Sequence, residues 1–190
     1  MSLALIPNLL CVLRMVLAVP VVWTLVEGYF AWTLLIFFVA ALTDGLDGYL
    51  AKRLNCETEL GKLLDPVADK LLLVSAFVTL TAIGLVPLWL AVAVVARDLV
   101  IGGGAAVYRR LFGPLQGRPT RPSKINTVFQ LGYGLAVVAA AAAPSLVPAP
   151  VVTALGATAF VTTVVSGVDY VLIYSRKAAA VARARAAPAT

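Results

Sequence analysis

Residues 44–69 read DGLDGYLAKRLNCETELGKLLDPVAD, which sets four aspartates, Asp44, Asp47, Asp65 and Asp69, around Gly48, Ala51, Lys52 and Gly61. The chain around them is apolar enough to dissolve in lipid, with 62% hydrophobic and only 13% charged residues and a mean hydropathy of +0.99. Near a bilayer centre a charged residue costs about 2.5 to 3.5 kcal/mol, so four unpaired aspartates oppose insertion by on the order of 10 kcal/mol. They require compensation, and a divalent metal is the first candidate.

Outward from this segment the composition describes a polytopic membrane protein rather than a soluble domain. Apolar stretches long enough to cross a bilayer as helix fall at 8–26, 30–50, 63–85, 87–108, 124–143 and 149–174. The expected fold is an all-α membrane domain of six helices over residues 1–177, with an Ala- and Arg-rich tail at 178–190 that ends it as a frayed or interfacial helix. None of the fifteen basic residues lies in the turns around Gly28, Gly84 or Pro144 to Pro150. By the positive-inside rule, both termini and the aspartate segment face the cytoplasm, across a multi-pass inner membrane.

The net charge of +6 is therefore read as contact with anionic lipid headgroups, not nucleic acid. Arg109 and Arg110 belong to this set. Cys11 lies in the first span, Cys56 lies in the loop, and there is no histidine, which argues against a disulfide or a thiol metal site. The N-terminus is read as a retained first helix, broken in character by Arg14 and Pro20.

On a helix that continues past the second span, Asp44, Asp47, Gly48 and Ala51 fall at i, i+3, i+4 and i+7, a single stripe. Gly61, Asp65 and Asp69 repeat every four residues on the third helix. Pro66 is expected in that helix's first turn, where its missing N–H is harmless. The short link Leu54 to Leu60 is expected to make the two helices antiparallel neighbours with facing carboxylates, an oxygen-rich site for Mg²⁺ or Mn²⁺. Taken alone, the small residues are ordinary helix packing, and the acids are interfacial charges paired with Lys52, Arg53, Lys62 or Lys70. Fixed spacing on two adjacent helices favours a site.

These residues resemble the signature of the CDP-alcohol phosphotransferases, D-x2-D-G-x2-A-R-x8-G-x3-D-x3-D, at every position but one. Lys52 stands where the family usually has Arg, and it loses the bidentate fork that suits phosphate. The resemblance implies six transmembrane helices, a homodimer and two divalent cations, Mg²⁺ or Mn²⁺. It further implies transfer of a phosphatidyl group from CDP-diacylglycerol to a hydroxyl acceptor with release of CMP. Asp44, Asp47, Asp65 and Asp69 would be metal ligands and Asp69 also the general base. Asp47, Gly48, Ala51, Lys52 and Gly61 would bind CDP-diacylglycerol.

Two further polar features, Arg97-Asp98 within the fourth span and Arg118 to Thr127 before the fifth, make Arg97, Asp98, Arg121 and Lys124 the candidate acceptor-binding residues. The alternatives are a self-satisfied ion pair and ordinary positive-inside charges. With the opening Ile6-Pro7-Asn8-Leu9-Leu10 and Arg14, and with Gln130, this pattern most resembles the eukaryotic-type cardiolipin synthases, whose acceptor is phosphatidylglycerol. Phosphatidylglycerophosphate synthases, which use glycerol 3-phosphate, are next. A cation transporter is the competing class, but its carboxylates tend to lie near the midplane on broken helices. A noncatalytic scaffold is the third reading, and the motif shows no decay beyond Lys52.

Overall fold

The computed structural model describes residues 5–54, 59–112 and 120–186; for 5–11, 44–54, 59–67, 69, 112, 180, 182 and 184–186 it describes the backbone alone. Six helices follow in order: α1 (Leu5–Val26), α2 (Phe30–Leu54), α3 (Glu59–Ala82), α4 (Leu88–Phe112), α5 (Arg121–Ala142) and α6 (Ala149–Ala186). The described residues contain no strand. Three helical stretches, Leu88–Leu111, Arg121–Ala142 and Ala149–Ala179, are long and apolar enough to cross a membrane, and Val12–Val26, Phe30–Thr43 and Lys70–Ala82 form shorter apolar segments.

The helices pack as a ring. α1 lies against α2 and α3, α4 against α3 and α6, and α5 against α6 and α2. α1 packs against both α2 and α3, and Ala40 and Ala41 of α2 line one small cavity with Leu72 and Leu73 of α3. Whether the carboxylate side chains of α2 and α3 face each other lies outside the described residues.

At the end remote from the motif, two turns are tight and glycine-dependent. Gly28 (φ 77°) and Gly84 (φ 79°) adopt the left-handed conformation just past α1 and α3. Tyr29 N–H donates to Thr24 C=O at 2.8 Å and Leu85 N–H to Leu80 C=O at 2.9 Å, closing helix-ending Schellman motifs that satisfy otherwise orphaned carbonyls. Beneath these turns the core is apolar: Val21, Leu25, Phe37, Phe77, Leu80, Leu90, Val94 and Val138 are buried. Small residues let helices approach, since a Cβ on Gly134 would stand 3.2 Å from the Phe37 ring and one on Gly156 only 2.9 Å from the Tyr133 ring. The perimeter instead exposes Val16, Val19, Trp32, Leu35, Val92, Leu99, Val128 and Val161. That inside-out distribution suits hydrocarbon rather than water, and the molecule is a membrane protein.

The helices depart from the apolar stretches mostly at the motif end, although α3 also stops at Ala82, three residues short of its stretch. α2 and α3 extend as helix through their aspartates, and Pro66 falls about two turns inside α3 rather than in its first turn. Its missing donor there frees one carbonyl, which a bundle tolerates when neighbouring groups satisfy it. α6 runs unbroken to Ala186, so the tail starts as helix. At 38 residues it is about 57 Å long, well beyond a 30 Å hydrocarbon layer.

Candidate active site

Backbone positions place Asp44, Asp47, Gly48, Ala51 and Lys52 on the last turns of α2, and Gly61, Asp65 and Asp69 on the first turns of α3. The side chains of these residues lie outside the description, as does Cys56. One turn before Asp44 and one turn after Asp69, Ala40, Ala41, Leu72 and Leu73 surround a cavity of about 20 Å³ with Arg14, Phe37, Thr127 and Leu131. Arg14 is fully buried there, on α1, which packs against both motif helices. The motif thus sits over a closed floor built by α1, α2, α3 and α5. As a donor set, four carboxylates on two such helices offer hard oxygens, which suit hard divalent cations such as Mg²⁺ or Mn²⁺. Among the described residues no other group of three or more His, Cys, Asp or Glu is placed to hold a metal.

Beside this floor lies a polar cluster within otherwise apolar helices. Lys70, the residue after Asp69, donates from Nζ to Asp98 Oδ1 at 2.7 Å. Arg97 Nη1 donates to the same oxygen at 2.7 Å. Arg97 Nη2 donates to Ser123 Oγ on α5 at 2.7 Å and to Ser166 Oγ on α6 at 2.6 Å. Its guanidinium carbon stands 5.9 Å from the centre of the Tyr170 ring, within cation–π range. The Arg97 side chain is only 4% exposed, Asp98 11% and Lys70 35%, so Lys70 is the most accessible of the three. A buried pair of this kind needs its remaining atoms hydrogen-bonded; the two serines do this for Nη2, whereas Arg97 Nε and Asp98 Oδ2 are buried without a partner.

α5 starts at the same level. Thr120 caps it, its hydroxyl accepting from Ser123 N–H at 3.3 Å, and Pro122 occupies the first turn. Arg121 and Lys124 are exposed in that turn, which holds no acid. Two cations at the positive end of a helix dipole oppose one another and the dipole, an arrangement that an anion relieves. Farther along, Asn126 and Gln130 are fully buried and bind α6: Thr163 Oγ1 donates to Asn126 Oδ1 at 2.9 Å, and Gln130 Nε2 donates to Thr163 Oγ1 at 3.1 Å.

Of the residues expected to meet an acceptor, Arg97 and Asp98 thus stand together inside the bundle, and Arg121 and Lys124 stand at the exposed start of α5. Sequence reasoning missed the α6 partners. The signal was present, because Thr163, Ser166 and Tyr170 recur at three- and four-residue spacing along one face of an apolar helix. Lys70, which sequence reasoning named only in the disfavoured alternative of interfacial pairing with the motif acids, is bonded to Asp98, 28 residues away.

The chain belongs to the CDP-alcohol phosphatidyltransferase family, whose profile matches residues 4–181. Among relatives, it is 34% identical over 155 residues to human cardiolipin synthase (CMP-forming), a match covering 73% of this chain and 50% of that protein. It is 36% identical over 142 residues to the probable cardiolipin synthase (CMP-forming) of Drosophila melanogaster, covering 66% and 44%. A probable phosphatidylglycerophosphate synthase of Mycobacterium tuberculosis is 36% identical over 174 residues, covering 86% of this chain and 78% of that protein. The chain spans about half the length of the human and fly relatives it matches.

Proposed function

We propose that this protein transfers the phosphatidyl group of CDP-diacylglycerol to the hydroxyl of a phosphorylated glycerol acceptor, releasing CMP, and that the acceptor is phosphatidylglycerol, giving cardiolipin. The observation that carries the transfer is the placement of four aspartates at family spacing on the adjoining ends of α2 and α3, in a chain matching the family along nearly its whole length. A specific observation favours glycerol 3-phosphate as the second reading: the relative matched over most of its own length is named as a phosphatidylglycerophosphate synthase.

In this reading Asp44, Asp47, Asp65 and Asp69 would hold two divalent cations, Mg²⁺ or Mn²⁺. Bound there, the metals supply charge neutralisation to the pyrophosphate and to departing CMP. Gly48, Ala51 and Gly61 keep the helix surfaces free of bulk where the cytidine lies. Asp47 also contacts the nucleotide, and Lys52 offers the pyrophosphate a point charge. Asp69 takes the proton from the acceptor hydroxyl as that oxygen attacks phosphorus; the new P–O bond forms to the acceptor as the bond to the CMP oxygen breaks. Arg121 and Lys124 meet the acceptor's phosphate at the start of α5, where the helix dipole adds to their charge. The site faces the cytoplasm of an inner membrane and the protein works as a homodimer; the charge distribution supports the first and the family resemblance the second.

Purified protein in detergent–lipid micelles with Mn²⁺ or Mg²⁺ and CDP-diacylglycerol tests the acceptor. CMP release at least tenfold faster with phosphatidylglycerol than with glycerol 3-phosphate is expected. The reverse preference would establish the second reading, and no CMP with any alcohol would remove the enzyme reading.

A further inference from the structure

Four helices meet at one guanidinium. Arg97 on α4 reaches α5 through Ser123 and α6 through Ser166, and it shares Asp98 Oδ1 with Lys70 of α3. Both Nη2 hydrogens and one Nη1 hydrogen are thereby committed, and each two-donor edge of the guanidinium includes Nη2, while Nε is buried without a hydrogen-bond partner. No open fork is left to grip a phosphate in the bidentate manner that makes arginine the usual choice for that task. An ammonium, with its donors radiating from one atom, does not reproduce this planar reach in three directions.

The cluster also differs from a simple helix weld. Lys70, Arg97 and Asp98 carry two positive charges against one negative, leaving a net charge of +1. The unbalanced charge belongs to the most exposed of the three, on the residue that follows Asp69. A weld among α4, α5 and α6 requires only Arg97 and the serines; the acid and the lysine add a link to the helix that bears half the motif.

We propose that Arg97 is a positioning residue for the transfer described above: through Asp98 it fixes the Lys70 ammonium, and with it the rotation of the α3 turn carrying Asp69, without itself touching the acceptor. Asp98 is the intermediary. The inference rests on the phosphatidyl-transfer reading and assigns Arg97 and Asp98 a role distinct from the acceptor contact of Arg121 and Lys124.

The test is steady-state kinetics of Arg97→Lys, Asp98→Asn and the double variant, with kcat expressed per CDP-diacylglycerol-binding site titrated on each preparation. Each single change should lower kcat per site by tenfold or more, while the acceptor KM and the CDP-diacylglycerol Kd stay within about threefold. The double variant should fall no more than about threefold below the worse single one, because the two residues act along one path. Loss of folded protein lowers the number of sites and leaves kcat per site unmoved, so it does not imitate this result. If Arg97→Lys yields no titratable sites, Ser166→Ala and Ser123→Ala, each lacking one hydroxyl, decide the matter: kcat per site should fall three- to tenfold with KM unchanged. An acceptor KM raised tenfold at constant kcat would overturn the proposal by making Arg97 an acceptor contact. Unchanged kcat per site, or multiplicative losses in the double variant, would overturn it equally. Wild-type protein that releases no CMP would instead overturn the function on which it rests.

Discussion

The two ends of this bundle are held together by different forces. Away from the motif, Phe37, Phe77, Leu80, Tyr133 and Val138 interlock around close approaches at Gly134 and Gly156, and Schellman turns finish α1 and α3. Toward the motif, beside Ala68, Leu72 and Leu73, the buried polar residues are Arg14, Arg97, Asn126, Gln130, Thr163 and Ser166. Among the described residues the other end has only hydroxyls, Thr24, Thr33 and Thr79, with Thr33 Oγ1 donating to Thr24 Oγ1 between α2 and α1. In lipid, apolar contact between helices gains little over contact with acyl chains, so the apolar end depends on shape. The polar end depends on directed bonds, which fix rotation as well as distance. Directional contacts are thus concentrated where the family's chemistry needs orientation.

That contrast can be broken at either end. The largest effect belongs to the motif: Asp44→Ala or Asp65→Ala should abolish CMP release, by about 10³-fold or more on the scale of lost charge stabilisation, and weaken Mn²⁺ binding measured by calorimetry. Unchanged metal affinity would contradict their assignment. At the apolar end Gly156→Val forces a side chain into the Tyr133 ring, and overpacking of this kind costs about 1 to 3 kcal/mol. The expected readout is a thermal midpoint lowered by several degrees with kcat per folded site retained; an unchanged midpoint would mean the helices separate at no cost. Gln130→Leu removes one buried interhelical hydrogen bond, worth about 0.6 kcal/mol in a membrane bundle. It should lower the midpoint less than Gly156→Val does. The smallest effect on activity is expected at the turn: Gly84→Ala places a side chain at positive φ and costs roughly 1 kcal/mol of stability, with activity intact. Loss of activity there would show that the two ends are coupled.

The same contrast explains what could be read in the chain. The six apolar stretches locate the six described helices, because apolar length is a local property. The stretches ending at Val26 and beginning at Phe30 meet their helices at the same residues. At the motif end the helices outrun their apolar stretches, since α2 and α3 continue through polar residues that hydropathy discounts, and Pro66 marks no boundary. The order in which the helices pack, with α1 against both α2 and α3, is set by tertiary contacts and leaves no local trace. Within the site, the spacing of the four aspartates was legible from helical phase alone. The pairing of Arg97 and Asp98 was legible from adjacency. Their partners Lys70, Ser123 and Ser166 lie 26 to 69 residues away from their counterparts in the chain, where adjacency gives no clue.

Everything proposed for the motif turns on a metal-assisted transfer in which Asp69 removes the acceptor's proton. Wild type and Asp69→Asn, prepared side by side, should be assayed for CMP release from CDP-diacylglycerol with and without phosphatidylglycerol, and for Mn²⁺ affinity on the same samples. Acceptor-dependent CMP release by the wild type is expected, with a loss of about 10³-fold or more in the variant and Mn²⁺ affinity largely preserved. A variant that transfers at near wild-type rate would contradict the base role of Asp69.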